Sequence, residues 1–309
     1  MKILGLGTVA MDVMMEVDSL PAADSFGVIN RVSYLPGGSG TNVIVQSARL
    51  GAECAYIAKL GDDPIGRDIL SSLRNEKIDV SGMRIKEGGT SLHANIVVDK
   101  KGQKFILLNF GDAFGSLCPE EVSAQLISWC DVLFTDFYPK AAPLAALKAA
   151  KKQGKTTVFN MQTGLGTFMA FNITRDDVLE ALPFIDIFAP CREGLRDLFG
   201  SDQAQFILPE LRRHCKGLTV ITQGSEGVLA IDENNQSIHI PAFNIQPVDT
   251  TGAGDSFIGA FMVAYLQQKQ PLAQALRTAN ASAAYTCLGM GARSGPDATT
   301  LGEWIKKQS

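Results

Sequence analysis

Histidine is scarce in this chain, with three in 309 residues. The cysteines, at positions 54, 118, 130, 191, 215 and 287, stand far apart, and no Cys-x-x-Cys occurs. A zinc site needs clustered thiolates and imidazoles, so none is expected. Scattered single cysteines read as reduced core residues, which points to a cytoplasmic setting. No strong charge bias exists either. The net charge is -4 and is spread along the chain, so no nucleic-acid surface is expected. No apolar run reaches the roughly eighteen residues of a membrane span. The opening segment MKILGLGTVAMDV is broken by glycines and ends at Asp12, unlike a secretory leader. No GxxxxGK[ST] string is present, which excludes a P-loop. Gly5-Leu6-Gly7 lacks the third glycine of a dinucleotide fingerprint and reads as a strand end.

What is present is a chain with enough apolar residues for a large core and no biased segments. Its length suits one large domain over residues 1–309 with a smaller excursion. Residues 3–7, 55–59, 132–135, 156–159, 185–189 and 218–222 read as short buried strands. Helical patterns lie between them, over 41–50, 66–77 and 141–153. This alternation argues a doubly wound, mostly parallel sheet flanked by helices. A hairpin over 228–231 and 237–240 follows. Long helices are then expected over 255–268 and 272–288. Strands at 13–17, 27–34, 91–98 and 104–109 make a separate small sheet, a lid built from about 11–35 and 90–110.

The most informative stretch is Asp249-Thr250-Thr251-Gly252-Ala253-Gly254-Asp255-Ser256-Phe257, ahead of an apolar helix. Small residues at 252–254 let the backbone turn tightly and aim N–H groups at one spot. The positive end of the helix dipole adds to that spot. Such a site suits a phosphoryl group whose charge grows in transit. Asp255, at its edge, can take a proton from an attacking hydroxyl. A purely structural account makes the stretch a glycine turn with Asp255 as N-cap.

Gly37-Gly38-Ser39-Gly40-Thr41-Asn42 is the second such loop. Its glycines allow close backbone approach, and Asn42 offers a donor and an acceptor. Asp12 follows the first strand, and its carboxylate can accept two hydroxyl hydrogen bonds. A third loop, Thr222-Gln223-Gly224-Ser225-Glu226-Gly227, follows a strand. Alone, these two loops are as compatible with a helix entry and an ordinary turn.

Together the strings resemble the ribokinase-like (PfkB) carbohydrate kinase family, from residue 3 to about 297 and in family order. The resemblance implies that Asp255 is the catalytic base and that the Gly252, Ala253 and Gly254 amides form the anion hole. It implies that Asp12, Gly37, Gly38 and Asn42 bind the sugar. Thr222, Gly224, Gly227, Asn280 and Asn160 would bind ATP. Magnesium is implied as cofactor. In relatives that bind a monovalent cation such as potassium, the tail near 289–296 and the Asp249 loop hold it, and here Asp249 and Thr251 could supply oxygens. The family's Asn-x-x-Glu is altered to Cys191-Arg192-Glu193-Gly194. Either Glu193 compensates from the neighbouring position, or magnesium is held through water and phosphates.

Ser39 stands where relatives acting on sugar phosphates commonly carry Lys, and Asn160-Met161-Gln162 lacks the Arg of some acid-sugar kinases. Both absences favour a neutral sugar, although lid residues Arg31 or Lys104 could still supply a cation. The alternatives are a nucleoside kinase and a sugar-binding relative with weak or no kinase activity. Exposed lid edges suggest a homodimer.

Overall fold

The short apolar runs become strands in a computed structural model, which describes residues 1–308. In chain order these are β1 (Lys2–Leu6), β2 (Ala10–Val17), β3 (Ile29–Gly37), β4 (Glu53–Ile57), β5 (Lys59–Gly61), β6 (Arg84–Lys86) and β7 (His93–Val98). They continue with β8 (Lys104–Asn109), β9 (Val132–Thr135), β10 (Thr156–Met161), β11 (Ile187–Pro190), β12 (Leu218–Thr222), β13 (Val228–Ile231) and β14 (Ser237–Ile240). The helices begin with α1 (Ser39–Arg49), α2 (Pro64–Asn75), α3 (Ala124–Trp129), α4 (Ala141–Lys152), α5 (Leu165–Met169) and α6 (Arg175–Ala181). After them come α7 (Arg192–Phe199), α8 (Ala204–His214), α9 (Ala253–Phe261), α10 (Leu272–Thr286) and α11 (Ala298–Lys307).

The main sheet runs β14-β13-β12-β11-β10-β9-β1-β4. From β4 to β12 its neighbours are parallel, and β13 and β14 close it as an antiparallel hairpin. Its central strands are covered on both faces, which is why they read as unbroken apolar runs rather than alternating ones. Phe159 and Phe188 pack in a tilted arrangement on adjacent strands, with ring centroids 5.4 Å apart. Local signals set the helix starts. Pro64 opens α2, and the Asp63 carboxylate accepts the Gly66 N–H at 2.7 Å.

The small sheet, ordered β3-β2-β7-β8, shares no ladder with the main one. Asp63 and Asp112 tether its roots. The Ser91 N–H donates to Asp63 at 2.8 Å and the Thr90 N–H to Asp112 at 2.8 Å. All of β8 is exposed, including Ile106, Leu107 and Leu108.

Most element ends differ from the sequence expectation by one to three residues. The strand expected at 185–189, for example, is shifted to Ile187–Pro190. Two departures are different in kind. Strands β5 and β6 form their own two-stranded parallel pair, and three residues each are too few to show a period. The helix expected over 255–268 starts at Ala253, ends its α-helical part at Phe261 and continues as a π-helical segment, Met262–Gln267. A π turn keeps an apolar face close to helical spacing, so the pattern conceals it.

Candidate active site

The loop 249–254 is the wall between two cavities of about 520 Å³ each. Asp249 and Thr251 face the cavity under the small sheet. Thr250, Ala253 and Gly254 face the other. Gly252 makes this possible by taking φ 77°, a left-handed conformation, as N-cap of α9. Asp255 is therefore not the N-cap but lies in the first turn of the helix. The Ala253 N–H is turned back to the Thr250 carbonyl at 3.2 Å. Among the described residues, the N–H groups of Gly252, Gly254 and Asp255 make no backbone hydrogen bond. Of the three amides expected to face an anion, the one at 253 is thus spent within the loop, and those at 252 and 254 are left without backbone partners.

Asp255 is buried, yet each carboxylate oxygen has a donor. Ser39 Oγ donates to Oδ1, and Asn42 Nδ2 donates to Oδ2 at 2.9 Å. Both donors come from the start of α1, whose N-cap is Gly38 with φ 86°. A side chain at Gly38 would strike the backbone of Val9 and Ala10 at 2.7 Å. Burial pushes the Asp255 carboxyl up to about 6, opposed by the two donors and by the Arg293 guanidinium. A carboxylate poised there is close to the range in which a general base is most effective.

Asp12, on β2, lines the first cavity. Burial raises its carboxyl, while Arg293 and Lys104 oppose the rise. Gly37 packs against it, and a Cβ there would sit 3.1 Å from Asp12 Oδ2. Asn42, expected to face a sugar, instead spends its amide on Asp255 and on Arg293, which donates to its Oδ1 at 3.0 Å.

Thr222, Gly224, Gly227 and Asn280 all line the second cavity. The Asn280 amide holds the exit of β14, donating to the Ile240 and Pro241 carbonyls at 3.2 and 3.0 Å. Asn160 is buried at the end of β10 and is not among the lining residues. Glu193 is exposed on α7 and packs toward Gly164. The reason is local. Cys191 Sγ caps the helix by accepting the Gly194 N–H at 3.2 Å, so α7 begins one residue before Glu193 and directs it away from both cavities. Among the described residues no group of three acidic, His or Cys side chains could hold a metal. Among the described residues no magnesium cage of protein ligands alone is built, and Glu193 lines neither cavity.

Asp249 is saturated by its own surroundings. Its Oδ1 accepts the Thr251 N–H at 3.0 Å and the Thr251 hydroxyl at 2.6 Å, and its Oδ2 accepts the Gly291 N–H at 2.9 Å. These bonds hold its carboxyl below the usual range against the opposing effect of burial. They also tie the loop to the tail near 291. Nothing local in the sequence marks Ser39 and Arg293 as belonging with the base. Ser39 enters the sequence reading only as the absence of a lysine, and Arg293 lies 251 residues from the Asn42 it contacts.

The profile of the pfkB family carbohydrate kinases matches residues 2–299. The chain belongs to that family. A relative described as an ATP-dependent ribose-1-phosphate kinase, from Halopiger xanaduensis, is 31% identical over 311 residues, covering 99% of each chain. The ribokinase of Arabidopsis thaliana, solved with ribose and ATP, superposes with a TM-score of 0.86 at 22% identity, covering 99% of this chain and 98% of its own. The nucleoside kinase of Methanocaldococcus jannaschii superposes with a TM-score of 0.78 at 20% identity, covering 99% and 98%. As a pfkB kinase the chain is an enzyme that transfers a phosphoryl group to an alcohol. Among the described residues no helix is long and apolar enough to cross a membrane.

Proposed function

We propose that this pfkB kinase transfers the terminal phosphoryl group of ATP to a primary hydroxyl of a small neutral sugar, with Asp255 as base. The observation that carries this reading is the shared wall. One loop separates a cavity lined by Asp12 from a cavity lined by Thr222, Gly224 and Gly227, and the buried carboxylate follows that loop directly. The sugar occupies the first cavity and the nucleotide the second. The hydroxyl oxygen attacks the terminal phosphorus, the bond to the bridging oxygen of ADP breaks, and the hydroxyl proton passes to Asp255. The N–H groups of Gly252 and Gly254, at the positive end of α9, meet the charge on the transferring group.

Magnesium would come with the nucleotide, screening its phosphates. Closure of the small sheet over the sugar would exclude water, the competing acceptor.

The charge of the sugar cavity favours a neutral acceptor. Asp12, Glu16, Asp99 and Asp249 line it, against Lys100 and Lys104. Lys100 is paired with Asp18 at 2.7 Å. Two observations favour a second reading, a phosphorylated sugar: the 31% identical relative described as a ribose-1-phosphate kinase, and an unpaired lysine. Lys104 lines the same cavity and has no ion-pair partner among the described residues.

The same proposal includes a homodimer through the small sheet, where Val32, Tyr34, Leu107 and Leu108 are exposed. Sedimentation as a monomer would remove the dimer alone. The acceptor is tested by ADP release with ATP and magnesium across neutral sugars, sugar phosphates and nucleosides. A neutral furanose or ketose is expected to give the highest kcat/KM. A sugar phosphate or a nucleoside as best acceptor overturns the neutral-sugar reading. No ADP release with any acceptor leaves a sugar-binding relative.

A further inference from the structure

Arg293 is a partly buried cation with no carboxylate within ion-pair distance among the described residues. The nearby Glu76 is bound to Arg49 instead, at 2.5 Å. Asp255 is likewise a buried carboxylate whose direct partners are neutral. A charge taken out of water is costly, so each of these eases the burial of the other.

One side chain joins them. Arg293 Nε donates to Asn42 Oδ1 at 3.0 Å, and Asn42 Nδ2 donates to Asp255 Oδ2 at 2.9 Å. A guanidinium can only donate, so the Asn42 oxygen must face Arg293 and its NH2 must face the carboxylate. The remaining Arg293 donors fix the guanidinium itself. Nη1 reaches Ser72 Oγ at 2.9 Å, and Nη2 reaches the Gly37 carbonyl at 3.2 Å and Thr41 Oγ1 at 3.1 Å.

We propose that Arg293 and Asp255 form an ion pair bridged by the Asn42 amide, making Arg293 a positioning residue that orients the base and keeps it anionic. The proposal rests on the reading of Asp255 as base. Hydrogen bonds in series polarise one another, so a cation on the Arg293 side strengthens the bond that Asn42 donates. Two other buried groups bear on this charge balance. Asp136 feels the Asp255 charge, and Tyr56 feels Asp136, Arg293 and Asp255. On the Arg293 side, Glu76 supports and Arg49 opposes its charge. Burial lowers the Arg293 guanidinium to about 10, which leaves it protonated at neutral pH.

The test is a 13C titration of aspartate carboxyls, with the Asp255 signal assigned by its loss in Asp255→Asn. In Arg293→Met the Asp255 carboxyl is expected to titrate at least about one pH unit higher than in wild type. The acidic limb of acceptor kcat/KM should move up with it, and activity at pH 7 should fall at least about twofold through protonation of the base, with the KM for ATP unchanged. Arg293→Lys keeps the charge and should hold the limb near its wild-type position. Should Arg293→Met fail to fold, Asn42→Asp takes its place. That variant keeps an acceptor for Arg293 but removes the donor to Asp255, and the same upward shift is expected. A wild-type Asp255 titration in whichever variant folds overturns the proposal. If Asp255→Asn instead retains full turnover, the base assignment fails, while the carboxyl titration still decides whether the bridged pair exists.

Discussion

Replacing Asp255 with Asn should move activity and stability in opposite directions. The side chain is buried, and its carboxyl titrates at about 6 rather than the ordinary 3.8. A folded-state value above the unfolded one means that the neutral form is favoured by folding. The associated stability is present at acid pH and is lost as pH rises from 4 through 6. Two units correspond to about 3 kcal/mol of stability forgone at pH 7.5. The amide introduced by Asp255→Asn carries no charge to bury. Its oxygen can accept from Asn42, and its NH2 can donate to the Ser39 hydroxyl, which can also act as acceptor. The variant should therefore be more stable than wild type at pH 7.5, by about 5 °C in Tm for a chain of this length. The gain should shrink toward zero by about pH 4. Phosphoryl transfer, measured as ADP release with the best acceptor, should fall by about 100-fold or more, because the basic group is gone. Thermal melts across pH and the turnover assay read the two effects separately. Turnover close to wild type, or a Tm difference that is negative or flat with pH, refutes the reasoning.

Two further outcomes follow from the geometry. Asp12→Ala removes the carboxylate facing the sugar cavity, so kcat/KM for the acceptor should fall about 10- to 100-fold, mostly through KM, with the KM for ATP unchanged; steady-state kinetics with each substrate varied checks this. Gly252→Ala places a Cβ 2.2 Å from the Ala292 carbonyl oxygen at a residue with φ 77°, so the loop must shift away from the tail. Its kcat should fall about 100-fold while the melt shows a folded protein, and a wild-type kcat would show that the loop position does not matter.

The parallel sheet is legible because strands covered on both faces produce short apolar runs separated by helical spacing. The 249–257 loop is legible because few sequences place small residues and a carboxylate at a helix entry in that arrangement. What sequence does not show is which groups reach across the fold. Ser39 and Asn42 meet Asp255 from 216 and 213 residues away. No local pattern reports such a pairing. Asn280, which lines the second cavity, and Cys191, which replaces the family's Asn, show a related limit. Sequence does not show that the Asn280 NH2 also holds the exit of β14, or that the Cys191 sulfur caps the start of α7. The π-helical segment after α9 is hidden because its apolar residues keep close to helical spacing.

The tail that carries Arg293 is threaded between earlier elements. Arg49 on α1 holds the carbonyls of Arg293 and Gly295 at 2.6 and 3.1 Å, and Gln46 holds that of Pro296 at 2.9 Å. The chain is made from its N-terminus, so α1 and the glycine turn before it leave the ribosome 251 residues ahead of the cation that fixes Asn42. Until then Asn42 has no guanidinium to set its orientation and Asp255 no countercharge behind it. The α1 surface waits for this tail, and a nascent chain arrested before residue 293 would lack the guanidinium that holds Asn42. The contacts that orient Asn42 are thus completed only once residue 293 has been made.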